Sequence, residues 1–156
     1  MTEKNLAEHA ISARSRTNLL EAMRGEAFAF AKYKLFAKQA RNHGEDELAN
    51  LFDKTADQEY MEHFTEQADL VQLVGTDEQD VTDAIAGESF EVDTLYKRFA
   101  EEARDDGDEQ VAHRVEEIRR DEVFHQLAFQ EALIKIQTRQ RAMKGATRRS
   151  AKAHDF

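Results

Sequence analysis

The chain has 156 residues, with 22 Lys and Arg against 32 Asp and Glu, a net charge of −10, and no Cys, Pro or Trp. The absence of Cys excludes a disulfide framework, a thiolate metal site and a cysteine nucleophile. No apolar run approaches the ~20 residues of a membrane span, and the acidic balance excludes general nucleic-acid binding, which needs a basic face.

The N-terminus, MTEKNLAEHAISARSR, lacks the apolar core of a signal peptide, so a soluble cytoplasmic protein is expected. The missing proline and the wealth of Ala, Leu, Glu, Lys and Arg predict an all-α fold. A short helix is expected over 4–13. Four long helices follow at about 16–42, 46–73, 78–105 and 109–142. Gly44, Gly75, Gly107 and Gly145 fall between periodic segments and read as helix ends. Gly25 and Gly87 lie inside helices, where glycine costs about 1 kcal/mol relative to Ala and usually permits close backbone approach. Residues 64–77 could instead form an extended crossover, but the spacing of Phe64, Ala68, Val71 and Val74 favours helix.

The short connections at Gly44 and Gly107 predict antiparallel hairpins, 16–73 and 78–137, within one domain over 1–137. The remaining segment, 138–156, holds six Lys and Arg and one Asp, leaving −15 on the rest. It reads as a solvated terminus or as a docking or anion-binding arm.

The apolar seams place charge at their middle. The fourth helix gives Val111, Val115, Ile118, Glu122, His125, Phe129, Ala132 and Ile136, an unbroken 4-3-4-3 spacing. The first gives Leu19, Met23, Glu26, Phe30, Tyr33, Ala37 and Ala40. The two hairpins also repeat. A shift of 63 pairs Tyr33 with Tyr96, Lys34 with Lys97, Ala37 with Ala100, Arg41 with Arg104, Gly44 with Gly107 and Glu59 with Glu122. Gly25–Glu26 matches Gly87–Glu88 at a shift of 62, so one residue is inserted between these landmarks.

Four inward positions therefore carry repeated carboxylates: Glu26 with Glu88 and Glu59 with Glu122. At i+3 stand Glu62 after Glu59, Glu91 after Glu88 and His125 after Glu122, each on its predecessor's helix face. Gathering so many unpaired carboxylates in a core costs many kcal/mol. Cations relieve that cost, and oxygen donors with imidazole suit Fe, Mn or, less well, Zn. One Glu from each of two helices plus Glu-x-x-His motifs on the other two is the pattern of dinuclear carboxylate bundles. Here that motif is complete once, at Glu122-Val-Phe-His125; its counterpart reads Glu59-Tyr-Met-Glu62, followed by His63.

The stretches SRTNLLEAMRGEAFAFAKYKLF, LFDKTADQEYMEHF, AGESFEVDTLYKRFAEEARDDG and RRDEVFHQLAF, spanning residues 15–130, resemble the rubrerythrin family of ferritin-like proteins. The resemblance implies a ferritin-like four-helix bundle with two Fe ions per site, Mn or a mixed pair fitting the same donors. It implies Glu26, Glu59, Glu88, Glu91, Glu122 and His125 as ligands, with Glu59 and Glu122 bridging. It also implies that the hydroxyls of Tyr33 and Tyr96 hold ligand carboxylates, and that Glu91 changes coordination with redox state. Rubrerythrins commonly append a rubredoxin domain with Cys-ligated iron. These 156 residues hold no Cys, so an external electron donor such as rubredoxin is expected. The gap-free match puts Glu62 where the family usually has His, giving it a ligand or switching role. His63 then lies about 100° round the helix from Glu62, a partly exposed bystander or, as the alternative to Glu62, itself the ligand.

In the ferritin-like arrangement the second and third helices run parallel, their facing ends roughly 30 Å apart along the axis. The connection Val74–Asp77 reaches at most about 14 Å. A domain-swapped homodimer is therefore expected. The function expected is reduction of hydrogen peroxide at a di-iron centre. A ferroxidase or iron-handling protein reacting with oxygen, and a non-catalytic helical interaction module, are the alternatives.

Overall fold

The computed structural model describes residues 11–152, with side chains described as far as Met143. Most of the helix expected over 4–13, and the side chains of the basic segment beyond Met143, lie outside the described residues. Every described element is helical. The first rod is α1 (Ala13–Asn42). The second, 46–71, consists of α2 (Asp46–Gln58), a π-turn (Glu59–Phe64) and α3 (Thr65–Val71). The third, 77–105, consists of α4 (Asp77–Phe90), a second π-turn (Glu91–Leu95) and α5 (Tyr96–Asp105). The fourth is α6 (Glu109–Lys152). No helix among the described residues is long and apolar enough to cross a membrane.

The rods form two compact units that divide between Val74 and Gly75. In the first, α1 ends in a Schellman motif: Gly44 takes φ 77°, its N–H bonds to the Arg41 carbonyl, and Glu45 N–H reaches back to Ala40. The chain reverses within three residues. Ala37, Ala40, Ala49 and Ala56 are buried, and their small side chains let α1 and α2 lie close. Arg41 and Lys34 of α1 both grip Asp53 of α2, and Lys34 also meets Asp57 at 2.5 Å. At the far end Met23, Ala68 and Val71 form a small core under Leu19, Leu20 and Phe64. Arg16 donates to the Val71 carbonyl there at 2.7 Å.

The second unit repeats this plan. Gly107 takes φ 82°, with Asp108 N–H bonded to Ala103. Ala100, Ala103 and Ala112 are buried at positions 63 residues after Ala37, Ala40 and Ala49. Arg104 pairs with Glu116, the positions matching Arg41 and Asp53. A capping box between Thr76 and Gln79 starts α4, and Asp77, Glu78 and Asp80 suit the positive end of its dipole.

Three expectations are corrected. α6 runs through Gly145 to Lys152, about ten residues past the expected end, because Gly145 sits among good helix formers and no turn requires it. The connection between rods two and three is 72–76 and starts at Gln72, which takes φ 52°. Gly25 and Gly87 meet nothing within 4 Å where a Cβ would sit, so neither marks a close approach within its own hairpin.

Candidate metal centre

Each hairpin gathers two carboxylates and one imidazole. In the first, Glu26 projects from α1 and Glu59 and His63 from the π-turn. His63 Nδ1 lies 2.7 Å from Glu59 Oε2 and 4.0 Å from Glu26 Oε2. In the second, Glu88 projects from α4 and Glu122 and His125 from α6. His125 Nδ1 lies 2.6 Å from Glu122 Oε2 and 3.7 Å from Glu88 Oε2. Within each triad one donor atom per residue falls inside 4.8 Å of the others, close enough to share one cation. All four carboxylates are half-buried.

The electrostatics show what this crowding costs. The hydrogen bond to Glu59 raises the His63 pKa, and that to Glu122 raises the His125 pKa, favouring the charged imidazolium. Burial, then the hydrogen bond and charge of Glu122, push the Glu88 carboxyl up. Glu88 Oε2 is sealed from solvent and has no hydrogen-bond partner. An oxygen donor left without a hydrogen bond beside a second carboxylate and an imidazole fits a hard or borderline divalent cation.

The other sequence-derived candidates fall around these triads. Glu91 begins the second π-turn, half-buried, and its charge helps to raise the pKa of both Glu88 and Tyr96. Glu62 is exposed and accepts a hydrogen bond from Gln58 Nε2 at 3.1 Å; it is not in the close group, and His63 is. The Tyr96 phenol pKa is raised by burial first, then by Glu91, Glu122 and Glu88. Tyr33 stacks on Phe52 with ring centroids 5.9 Å apart. Among the described residues neither tyrosine hydroxyl bonds to a triad carboxylate. Each stands about two turns along its rod from the triad glutamate, roughly 10 Å away.

Glu62 and His63 stood as alternatives in the sequence, since residues at i+3 and i+4 share the face of Glu59; the close group contains His63. The repeat carries the same signal: Glu59 matches Glu122 at a shift of 63, but His63 matches His125 at 62.

A family model described as Rubrerythrin matches residues 17–64 and 59–133. The chain belongs to the rubrerythrin family. It is 32% identical to the rubrerythrin of Nitratidesulfovibrio vulgaris, covering 75% of this chain and 68% of that protein. It is 30% identical to the rubrerythrin of Porphyromonas gingivalis, covering 75% and 64%. Nigerythrin of N. vulgaris is 30% identical, covering 72% and 65%. The chain thus spans about two-thirds of the length of these relatives. The solved structure of fully reduced, all-ferrous nigerythrin aligns over 86% of this chain and 72% of its own, at 24% identity and a TM-score of 0.41. Membership makes this a di-iron protein of the ferritin-like fold, and the two Glu, Glu, His triads are compatible with that metal pair.

Proposed function

We propose that this protein is a non-haem di-iron peroxidase that reduces hydrogen peroxide with electrons from an external donor. The observation that supports this most is the duplicated triad, with one oxygen of Glu88 sealed and without a hydrogen bond. Glu26, Glu59 and His63 would hold one ion, and Glu88, Glu122 and His125 the other. Glu59 and Glu122 would serve both ions, as the resemblance implies. Iron is the metal assigned, although manganese satisfies the same donors. When bound and ferrous, the pair supplies the two electrons that split the O–O bond.

The chain's own residues manage protons and charge. Each peroxide reduced to two waters takes up two protons. Glu91, beside Glu88 and Tyr96, is the carboxylate assigned to carry them. The Tyr96 phenol, its pKa raised, stays protonated at neutral pH and acts as a hydrogen-bond donor. Tyr33 is assigned the matching role. The 156 residues contain no Cys and so no thiolate-held iron. Electrons therefore arrive from outside them, rubredoxin being the donor class proposed.

Stopped-flow mixing of the diferrous protein tests the reading. Oxidation by hydrogen peroxide should outpace oxidation by oxygen by at least about tenfold. A faster reaction with oxygen, with catalytic consumption of added Fe(II), would replace it with a ferroxidase. That second reading is favoured by Glu62, an exposed carboxylate next to the first triad.

We also propose a domain-swapped homodimer. Rod two runs 12 residues past Glu59, and rod three begins 11 before Glu88. If both triads serve one metal pair on parallel rods, those ends lie roughly 35 Å apart along the axis. Residues 72–76 span about 20 Å at most. Pairing the first hairpin of one chain with the second of another removes the conflict. Light scattering should give twice the 17.9 kDa chain mass; a metal-loaded monomer rejects the swap.

A further inference from the structure

The two triads match in their donors but not in what stands directly behind them. At the shift of 62 that relates Glu26 to Glu88 and His63 to His125, Ala27 corresponds to Ser89 and Phe64 to Gln126. In the second hairpin this pair bridges the rods. Gln126 Nε2 donates to Ser89 Oγ at 2.7 Å, and the Ser89 hydroxyl donates to the Ile85 carbonyl at 2.6 Å. The hydroxyl proton is committed to the backbone of its own rod, and the hydroxyl oxygen accepts from the other. Both bonds are part-buried. Ser89 follows Glu88 and Gln126 follows His125, so the bridge ties rods three and four within one residue of each donor. Arg119, three residues before Glu122, adds a second tie to Val92 O at 2.7 Å.

The first hairpin has no such support at its triad. Ala27 has no hydrogen-bonding side chain, and Phe64 stacks on Tyr60 with ring centroids 5.9 Å apart. Among the described residues, the side-chain hydrogen bonds between rods one and two come from Arg16, ten residues before Glu26, and from Lys34 and Arg41, eight and fifteen after it. The carboxylates differ as well. One oxygen of Glu88 is sealed and without a hydrogen bond, and among the described residues no oxygen of Glu26 or Glu59 is in that state. A sealed carboxylate oxygen gains most when a cation arrives. Donors already locked by bonds behind them also lose less freedom on binding.

The geometry points to Ser89 and Gln126 as positioning residues that hold Glu88 and His125 ready, so that the second triad takes up the first metal ion and the first triad the second. That assignment rests on the di-metal reading above and adds an order of loading to it.

Cobalt(II) titration of the full chain tests it, read by stepwise affinities and by the hyperfine-shifted imidazole N–H signal of each cobalt-bound histidine in proton NMR. With one ion per chain the wild type should show chiefly one signal, present in His63→Ala and absent from His125→Ala. Its first ion should bind at least about tenfold more tightly than its second. Ser89→Ala and Gln126→Leu should each weaken the first ion by about tenfold, so that the two signals grow together. The double variant should lose no more than either single one, since all three break one bond. Ser89→Thr should keep the wild-type order, because its hydroxyl makes the same i−4 bond. Alanine is a better helix former than serine, so a loss of affinity in Ser89→Ala does not report a loss of fold. A first ion at His63, two signals that rise together in the wild type, or an unchanged order in Ser89→Ala and Gln126→Leu overturns the inference and leaves the di-metal reading standing. A wild type that binds no more cobalt than Glu59→Ala and Glu122→Ala overturns both.

Discussion

The hairpin ending at Val74 and the one beginning at Gly75 reach the same triad by different backbone routes. In the first, the π-turn lies on the rod that supplies the imidazole, and His63 follows its glutamate by four residues. In the second, the imidazole rod is α-helical throughout, His125 follows by three, and the π-turn sits on the opposite rod after Glu88. The side-chain hydrogen bonds to the π-turn carbonyls also differ. Thr65 covers Met61 O from its own rod, while Arg119 reaches across from α6 to Val92 O at 2.7 Å. Arg119 occupies the position of buried Ala56 in the repeat. What the copies share is the constellation of donor atoms; the backbone beneath it has been free to gain residues.

The largest expected effects test whether the hairpins are equals. Glu59→Ala and Glu122→Ala should each lower metal affinity by at least about 100-fold and abolish peroxide reduction, measured by metal analysis and NADH-coupled turnover with an added donor. If one variant keeps both ions, the equivalence is broken.

Next come the carbonyl latches. Arg119→Met leaves Val92 O without its charged donor and should cost about 1.5–3 kcal/mol in urea unfolding. Thr65→Val removes a neutral donor and should cost about 0.5–1.5 kcal/mol. The reverse order would show that the π-turn of rod two needs its latch more than that of rod three.

The smallest effect separates the hairpin clasps by pH. The Arg41 guanidinium, then Lys34, holds the Asp53 carboxyl below its ordinary 3.8, and Arg104 does the same for Glu116 below 4.5. A carboxylate depressed on folding contributes fully above its unfolded pKa and loses that contribution as pH falls through the folded value. Asp53→Asn should therefore melt below the wild type at pH 7. The gap should close as the pH falls below about 3.8. Glu116→Gln should show the same trend below about 4.5, and a gap that persists in acid would assign the loss to packing instead.

Much of the scaffold was legible in the sequence. The hairpin turns at Gly44 and Gly107 follow from glycine at a position needing positive φ, and the buried alanines follow from helical spacing. The glutamates Glu26, Glu59, Glu88 and Glu122 were legible because they repeat on inward positions. The π-turns were not, because apolar periodicity tolerates one extra residue and reveals it only as a changed repeat shift. Glu62 and His63 stood as alternatives because residues at i+3 and i+4 share one helix face. The end of α6 was misread because glycine terminates a helix only where the backbone must turn left-handed, and at Gly145 it continues.

Three Schellman turns end three of the rods, but only two use glycine; the third places Gln72 at φ 52°. A side chain in that conformation carries roughly 1–2 kcal/mol of steric penalty that glycine avoids. Gln72 also has fewer allowed backbone directions than glycine at the start of the link 72–76. The linker thus begins with a stiff joint, and flexibility has been given up where the halves of the repeat are tied together.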